Sequence, residues 1–162
     1  MAILFVKNLM GGNTPVAPPK DVLSYPMTEN EDAVEGAAYY FSSGRLTVAS
    51  TQKNIAVIAL ESADGGGDSG SDPTVFTRAQ WITPGMVFKA PITNKAGTGD
   101  QASYEGNFIV GATVNLNDKG EGLDAETDLS SVAGPCTILK IDSDNDVAWF
   151  VFNSCAVASD LS

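Results

Sequence analysis

Short apolar runs, separated by turn-forming residues, follow one another from about residue 36 to the end of the chain. Leu46 and Val48 alternate with polar neighbours, which is typical of a strand with one buried face. Residues 55–60, IAVIAL, lack this alternation and predict a strand that is covered on both faces. Between the first two runs, Ser42-Ser43-Gly44 predicts a three-residue hairpin loop whose glycine takes the left-handed backbone.

The later runs repeat this pattern. Residues 74–93 predict two strands around Pro84-Gly85, with Pro91 at a strand end or a sheet edge because proline donates no ladder hydrogen bond. Residues 107–116 predict another strand, broken at Gly111, and residues 124–133 fit one short helix. The spacing of strands and turns indicates an all-β fold, a small barrel or sandwich, with at most one short helix.

The N-terminal region reads differently from the β body. Residues 7–34 contain Gly11-Gly12 and four prolines, which disfavour helix and favour extended backbone. We therefore predict an extended N-terminal arm over residues 1–34, a single β domain over 35–158 and a C-terminal tail over 159–162. The arm is either a disordered tail or a segment that orders on a neighbouring subunit.

Composition narrows the function. The chain has 20 acidic and 9 basic residues, a formal net charge of −11, which argues against nucleic acid and anionic membranes as partners. It has no histidine, which excludes Ser-His and Cys-His nucleophile pairs and the usual zinc sites. We expect no enzymatic activity and no cofactor. No apolar run reaches the length of a membrane span, and the opening MAILFV is shorter than a signal-peptide core, so we expect synthesis in a cytosol.

Asp142, Asp144 and Asp146 have the D-x-D-x-D spacing that opens an EF-hand calcium loop. That loop requires glycine at its sixth position and a bidentate glutamate at its twelfth, where this chain has Val147 and Asn153. The three aspartates are weak metal candidates for another type of calcium loop. The simpler interpretation is a hairpin turn rich in Asn and Asp.

The length of this turn has a consequence for the two cysteines. In the predicted hairpin, Leu139 and Ile141 face inward on one strand. A two-residue turn would place Cys136 opposite Cys155, and a four-residue turn, Ser143 to Asp146, would place Cys136 opposite Asn153. The hydrophobic pattern fixes the faces and does not choose between these registers. In a cytosolic protein we expect both thiols to be reduced and buried.

The segment EGAAYYFSSGRLTVASTQKNIAVIALESA, residues 35–63, resembles the capsid decoration, or cement, proteins of tailed bacteriophages. NFIVGATVNLNDKGEGLD and the closing strands are similar to the rest of such a domain. The resemblance implies a β-tulip or small-barrel fold and a structural protein of the virion. It also implies a protein made in the host cytoplasm that sits on the outer capsid surface, usually as a homotrimer and sometimes as a dimer or a monomer, and clamps neighbouring copies of the major capsid protein.

For this role we expect contacts from the arm and from one exposed aromatic side chain, although ordinary packing within the subunit explains each residue equally well. The candidates are Leu9, Val16, Pro18, Pro19, Val22, Leu23 and Trp149. Two other hypotheses remain. One is a secreted or surface β-module that binds calcium or carbohydrate, with Trp81 or Trp149 as a sugar platform. The other is a carboxylate enzyme using Glu121 and Asp124.

Overall fold

The fold is given by a computed structural model, which describes residues 2–8, 23–52, 54–65, 75–98, 108–126 and 134–154. The described residues form eleven strands and no helix, which confirms the predicted all-β class. The strands are β1 (Leu4–Asn8), β2 (Leu23–Pro26), β3 (Ala38–Ser42), β4 (Arg45–Val48), β5 (Ile55–Ala59), β6 (Phe76–Trp81), β7 (Met86–Thr93), β8 (Thr113–Val114), β9 (Leu123–Asp124), β10 (Cys136–Asp142) and β11 (Val147–Phe152). Within these ranges there is no helix of the length and hydrophobicity that a membrane span requires.

The larger sheet has the order β1-β7-β11-β10-β8, and β9 pairs in parallel with the second half of β7. Pro91 lies inside β7, so the prediction that it marks a strand end or an edge is wrong. On one side of β7, the pairing with β1 ends at Lys89 and the pairing with β9 begins at Ile92. Pro91 falls in this gap, where the missing N–H removes no ladder bond on that side.

The smaller sheet has the order β2-β6-β5-β3-β4 and curls until its two edges meet. A parallel bridge joins Met27 to Leu46, and the Thr28 amide donates a hydrogen bond to the Leu46 carbonyl at 2.8 Å. The hydroxyls of Thr28 and Thr47 lie 2.6 Å apart on the same seam. The smaller sheet therefore approaches a closed barrel, and the larger sheet packs against its outside.

This arrangement produces two hydrophobic cores. One lies between the sheets and contains Ile55, Phe88 and Phe150; the other lies inside the curl of the smaller sheet and contains Tyr39, Leu46 and Val57. All five residues of β5 are buried, and they contribute to both cores. The prediction of a strand covered on both faces is thereby confirmed for this segment.

The β3–β4 hairpin closes more tightly than predicted. Ser42 pairs with Arg45, so the loop has two residues, Ser43 and Gly44, and the predicted three-residue loop is wrong. Both loop residues have a left-handed backbone, with φ of 51° and 75°. Two positive φ values in succession match the right-handed twist of the flanking strands, which is why the shorter loop forms.

The described part of the predicted arm differs from an extended tail. β1 pairs with β7, and β2 pairs with β6, so both strands belong to the body. The Ile3 amide donates to the Gly36 carbonyl at 3.0 Å. Gly36 has φ of +80°, and a Cβ there would lie 2.2 Å from the Cβ of Ala2, so only glycine allows this close approach. Residues 9–22 of the predicted arm and the predicted tail, 159–162, lie outside the described residues.

Two other predicted elements are shorter or different. Asp124 lies in β9, and its amide donates to the Asn115 carbonyl at 3.0 Å, so the predicted helix does not begin there. Residues 127–133 of that helix lie outside the described residues. The predicted strand over 107–116 is reduced to β8, because the chain turns at Gly111, where φ is +89°.

The β10–β11 hairpin has the four-residue loop, Ser143 to Asp146, since Asp142 pairs with Val147. A bulge between Ile138 and Lys140 then shifts the register by one residue. Cys136 consequently lies opposite Phe152, and the partner expected for a four-residue turn, Asn153, is wrong. A bulge inserts an extra residue into one strand, which the alternation of apolar residues does not reveal.

The bulge also changes which residues face inward. Ile138 is fully buried, whereas Leu139, predicted to face the core, is 38% exposed. Cys136 is a buried free thiol, as expected, and burial raises the pKa of that thiol well above its ordinary value. Cys155 lies outside the described residues.

Candidate interaction surface

The outer face of the larger sheet, which points away from the smaller sheet, carries a row of paired side chains. Leu4 pairs with Lys89, Lys89 with Trp149, and Trp149 with Lys140, across the four strands β1, β7, β11 and β10. Directly paired residues lie on the same face of a sheet. We call Lys89, Trp149 and Lys140 the Lys-Trp-Lys row; Leu4, at its end, is 59% exposed.

The geometry of the row centres on the indole of Trp149. The Lys89 Nζ lies 5.1 Å from the ring centroid, and the Lys140 Nζ lies 4.5 Å from it. Each contact is a cation–π interaction, worth about 0.5–1 kcal/mol at an exposed site. On β11 the neighbours of Trp149, Ala148 and Phe150, are buried in the core between the sheets, so strand alternation turns Trp149 outward.

Apolar side chains surround the two lysines. Val147 and Val151 lie on the outer face of β11 and are partly exposed, and Leu139 is 38% exposed at the bulge of β10. Among the described residues, neither lysine forms an ion pair with a carboxylate. The surface thus combines exposed hydrocarbon with two lysines in no described salt bridge, one of which, Lys140, interacts electrostatically with the nearby Asp142 carboxylate.

Sequence patterns identified only one member of this surface, Trp149. Lys89 lies between the buried residues Phe88 and Ala90. A single lysine within an otherwise apolar strand indicates an outward-facing position, and this was the sequence feature that could have identified Lys89. The sequence did not indicate that Lys140 lies on this face, because the inward–outward alternation of β10 changes phase at Leu139. Leu4 becomes part of the surface through the pairing of β1 with β7, which joins distant parts of the chain.

The three candidate metal ligands occupy the tip of the β10–β11 hairpin. Asp142 accepts a hydrogen bond from the Asn145 side-chain amide at 2.9 Å, and this bond holds the pKa of the Asp142 carboxyl below its ordinary value. Asp146 has φ of 50°, and its carbonyl accepts from the Ile92 amide at 2.7 Å. Across the described residues, no three acidic, cysteine or histidine side chains are grouped as a metal site. Asp142 is thus bonded within the hairpin turn, and Asp146 is bonded through its backbone to β7.

The two predicted contact residues that the structure describes, Leu23 and Trp149, lie on different sheets. Leu23 is 54% exposed on β2 and pairs with Ala79 in the smaller sheet, whereas Trp149 belongs to the larger sheet. The other predicted contacts, Leu9, Val16, Pro18, Pro19 and Val22, lie outside the described residues.

Of the residues named by the two other hypotheses, Trp81 and Asp124 are engaged within the fold, whereas Trp149 faces outward in the Lys-Trp-Lys row and Glu121 is partly exposed. The Trp81 indole N–H donates a hydrogen bond to the Tyr25 hydroxyl, and its ring stacks on Phe41 with centroids 5.8 Å apart. The Asp124 side chain is 4% exposed and accepts a hydrogen bond from the Glu126 amide at 2.9 Å. The Trp81 ring and the Asp124 carboxylate are therefore both held by contacts within the described part of the fold.

A cavity of about 140 Å³ lies beneath β1, where Phe5, Ile58 and Phe88 contribute to its lining. Gln80 also lines it, and its buried Nε2 is the one buried side-chain polar atom without a hydrogen-bond partner in the described part of the chain. A cavity of this size accommodates several ordered waters, which would accept from that amide. We therefore treat it as a hydrated packing gap.

Comparison with known proteins identifies no family for this chain. The sequence matches no protein-family model. No curated protein matches it either. Function is therefore inferred from the fold, the outer face of the larger sheet and the resemblance carried by residues 35–63.

Proposed function

We propose that the protein is a structural protein of a tailed-bacteriophage virion, which decorates and stabilises the capsid by binding across neighbouring copies of the major capsid protein. The observation that carries the proposal is the outer face of the larger sheet. There Leu4, Trp149 and Leu139 leave apolar surface in contact with water. Contiguous exposed apolar surface on a folded domain is typical of a site that binds another protein.

The segment that resembles decoration proteins supports the same proposal. Residues 35–63 contain β3, β4 and β5, which are consecutive neighbours in the smaller sheet. Gly36 allows the chain to enter this unit against Ala2, and Ser43-Gly44 closes its hairpin. The resembling residues thus form one contiguous structural unit.

The proposed activity is mechanical and requires no chemistry. A protein–protein interface of standard size buries about 1,600 Å². A homotrimer would present three copies of the outer face at once, and multivalent seating turns modest individual contacts into lasting attachment. In this proposal the partner is the major capsid protein, the location is the outer capsid surface, and no cofactor, nucleic acid or membrane takes part.

Co-sedimentation with undecorated capsids of the corresponding phage tests the proposal. We expect the protein to pellet with the capsids and to raise the temperature at which they release DNA. Replacing Leu4 and Trp149 together by alanine should reduce the bound fraction at least tenfold, because both side chains lie on the outer face.

The matched control is Phe76→Ala. Phe76 is also a large exposed side chain, 49% accessible, but it lies on β6 of the smaller sheet. The control variant should bind like the unaltered protein. Failure of the unaltered protein to pellet with the capsids would end the proposal, and equal loss in both variants would exclude the outer face as the attachment surface.

A further inference from the structure

We propose that the Lys-Trp-Lys row receives an acidic, extended segment of a partner protein, in which an apolar side chain lies between two carboxylates. This inference rests on the proposed attachment function and adds the chemistry of the partner. The juxtaposition that carries it is the placement of Lys89 and Lys140 on opposite sides of the Trp149 ring, on three adjacent strands.

The spacing of the row defines the segment that fits it. Adjacent strands lie about 4.8 Å apart, so the backbones that carry Lys89 and Lys140 are separated by roughly 10 Å. In an extended chain, side chains on one face repeat every second residue, and two such steps span about 13 Å. Lysine side chains are long enough to cover the difference. An acid–x–apolar–x–acid segment therefore places its apolar side chain on Trp149 and one carboxylate at each lysine.

The electrostatics of the chain favour this partner. The protein carries a net charge of −11, yet neither lysine forms a salt bridge among the described residues, and both are held against an aromatic ring; Lys140 also interacts electrostatically with the nearby Asp142 carboxylate. An acidic segment would supply a counter-charge to Lys89 and a directly bonded carboxylate to Lys140. Its apolar side chain would also exclude water from the row, and Coulomb attraction strengthens as water is excluded.

The same surface is poorly suited to polyphosphates. Nucleic acids require clustered lysines and arginines, whereas this row offers two cations within a ring of Leu4, Leu139 and Val151. The net charge of −11 repels a long polyanion, while a short segment with two carboxylates meets mainly the local positive field. A protein segment supplies the apolar contact that a sugar–phosphate backbone lacks.

The experiment is a titration of the ¹⁵N-labelled protein, followed by NMR, with a nine-residue peptide that repeats the acid–x–apolar–x–acid order: glutamate at positions 1, 5 and 9, leucine at positions 3 and 7, and serine at the others. The protein has two tryptophans, so two indole N–H signals report binding, and Trp149→Phe identifies which signal belongs to the row. We expect the Trp149 signal to shift saturably. The affinity should fall at least tenfold between 20 mM and 500 mM NaCl, because salt screens exposed charges.

A pair of double variants separates the row from overall charge. Lys89→Glu with Lys140→Glu should weaken peptide binding at least tenfold. The matched control, Lys95→Glu with Lys119→Glu, changes the net charge equally at two exposed lysines outside the row and should bind like the unaltered protein. The same peptide with lysine in place of each glutamate should leave the Trp149 signal unchanged.

Four outcomes would overturn the inference: no saturable shift at 20 mM NaCl, equal weakening in both double variants, equal binding of the lysine peptide, or tighter binding of a ten-nucleotide polythymidylate. Failure here is distinguishable from failure of the proposed function. If capsids bind regardless of salt and of Lys89 and Lys140, only this inference fails. If the acidic peptide binds the row while capsids do not co-sediment, only the capsid proposal fails.

Discussion

Two strands with equally apolar sequences, β5 and β11, lie in very different surroundings. β5 reads IAVIA and is buried at all five positions, because the larger sheet covers one face and the curl of the smaller sheet covers the other. β11 reads VAWFVF, yet it is buried only at Ala148, Phe150 and Phe152. The fold accounts for the apolar character of β5 completely and for only half of that of β11.

This difference shows that an apolar run predicts a buried strand but does not identify the layer that covers it. In β5 both layers come from the same chain. In β11, Val147, Trp149 and Val151 have no covering layer among the described residues, and a strand that faced only water would be expected to alternate with polar residues there. The excess hydrophobicity of β11 is the feature that the proposed attachment explains. The predictions below test whether the two strands differ energetically as they differ structurally.

The largest expected effect is a difference in the free energy of unfolding between substitutions on the two faces of β11. Phe150→Ala should lower the free energy of unfolding by about 3–5 kcal/mol, because Phe150 is fully buried between Phe88 and Phe152. Val151→Ala, one residue along, should cost less than about 1 kcal/mol in the isolated protein. Urea denaturation of both variants measures this. Similar losses at the two positions would mean that the outer face is already covered within the protein.

On β5, by contrast, substitutions on both faces should be costly. Ile55→Ala should lower the free energy of unfolding by about 2–5 kcal/mol through the core between the sheets. Val57→Ala should cost about 2 kcal/mol through the core inside the smaller sheet. Thermal and urea unfolding give both values. A Val57 variant as stable as the unaltered protein would show that the second core contributes little.

The core inside the smaller sheet should also respond to alkaline pH. The Tyr39 hydroxyl accepts a hydrogen bond from the Val34 amide at 2.9 Å, and burial raises the pKa of Tyr39 to about 12 from its ordinary 10.0. The folded state therefore favours the neutral phenol. The buried neutral phenol contributes roughly 2–3 kcal/mol to the free energy of unfolding. This contribution is complete below pH 10 and is lost as the pH rises towards 12.

Comparison with Tyr39→Phe isolates this effect from other groups that titrate at high pH. The variant should be less stable at pH 8 by about 1 kcal/mol, because the Val34 amide loses its partner. Its stability should then decline less than that of the unaltered protein between pH 10 and 12. Parallel declines, measured by urea denaturation at each pH, would contradict the assignment.

The smallest expected effect concerns the hairpin tip beside the Lys-Trp-Lys row. Because Asp142 is bonded within the turn and the described acidic side chains form no metal-type group, millimolar calcium should leave the melting temperature unchanged within about 1 °C relative to chelator. Asp144→Asn should behave in the same way as the unaltered protein. A rise of many degrees that is absent in Asp144→Asn would instead favour a calcium-binding module.

Local patterns were sufficient for some elements and insufficient for others. The unbroken run of β5 and the Pro84-Gly85 turn between β6 and β7 predicted structure correctly, because each depends on neighbouring residues. The pairing of β1 with β7 was missed, since it joins segments about eighty residues apart and no local signal encodes it. The register of the β10–β11 hairpin depends on the bulge at Leu139, which the hydrophobic pattern does not reveal. The candidate surface depends on both the β1–β7 pairing and this bulge.

The bulge at Leu139 has a further consequence for how this protein can change. Ile138 and Lys140 are two positions apart, and in a regular strand they would share a face; the inserted residue sends one into the core and the other outward beside Trp149. Loss of the single codon for Leu139 would remove the bulge and make Ile138 and Lys140 adjacent, and successive strand residues point to opposite faces, so Ile138 would stay in the core and Lys140 in the row. Leu139 is thus a position at which this hairpin can lose a residue without exchanging its interior and its surface.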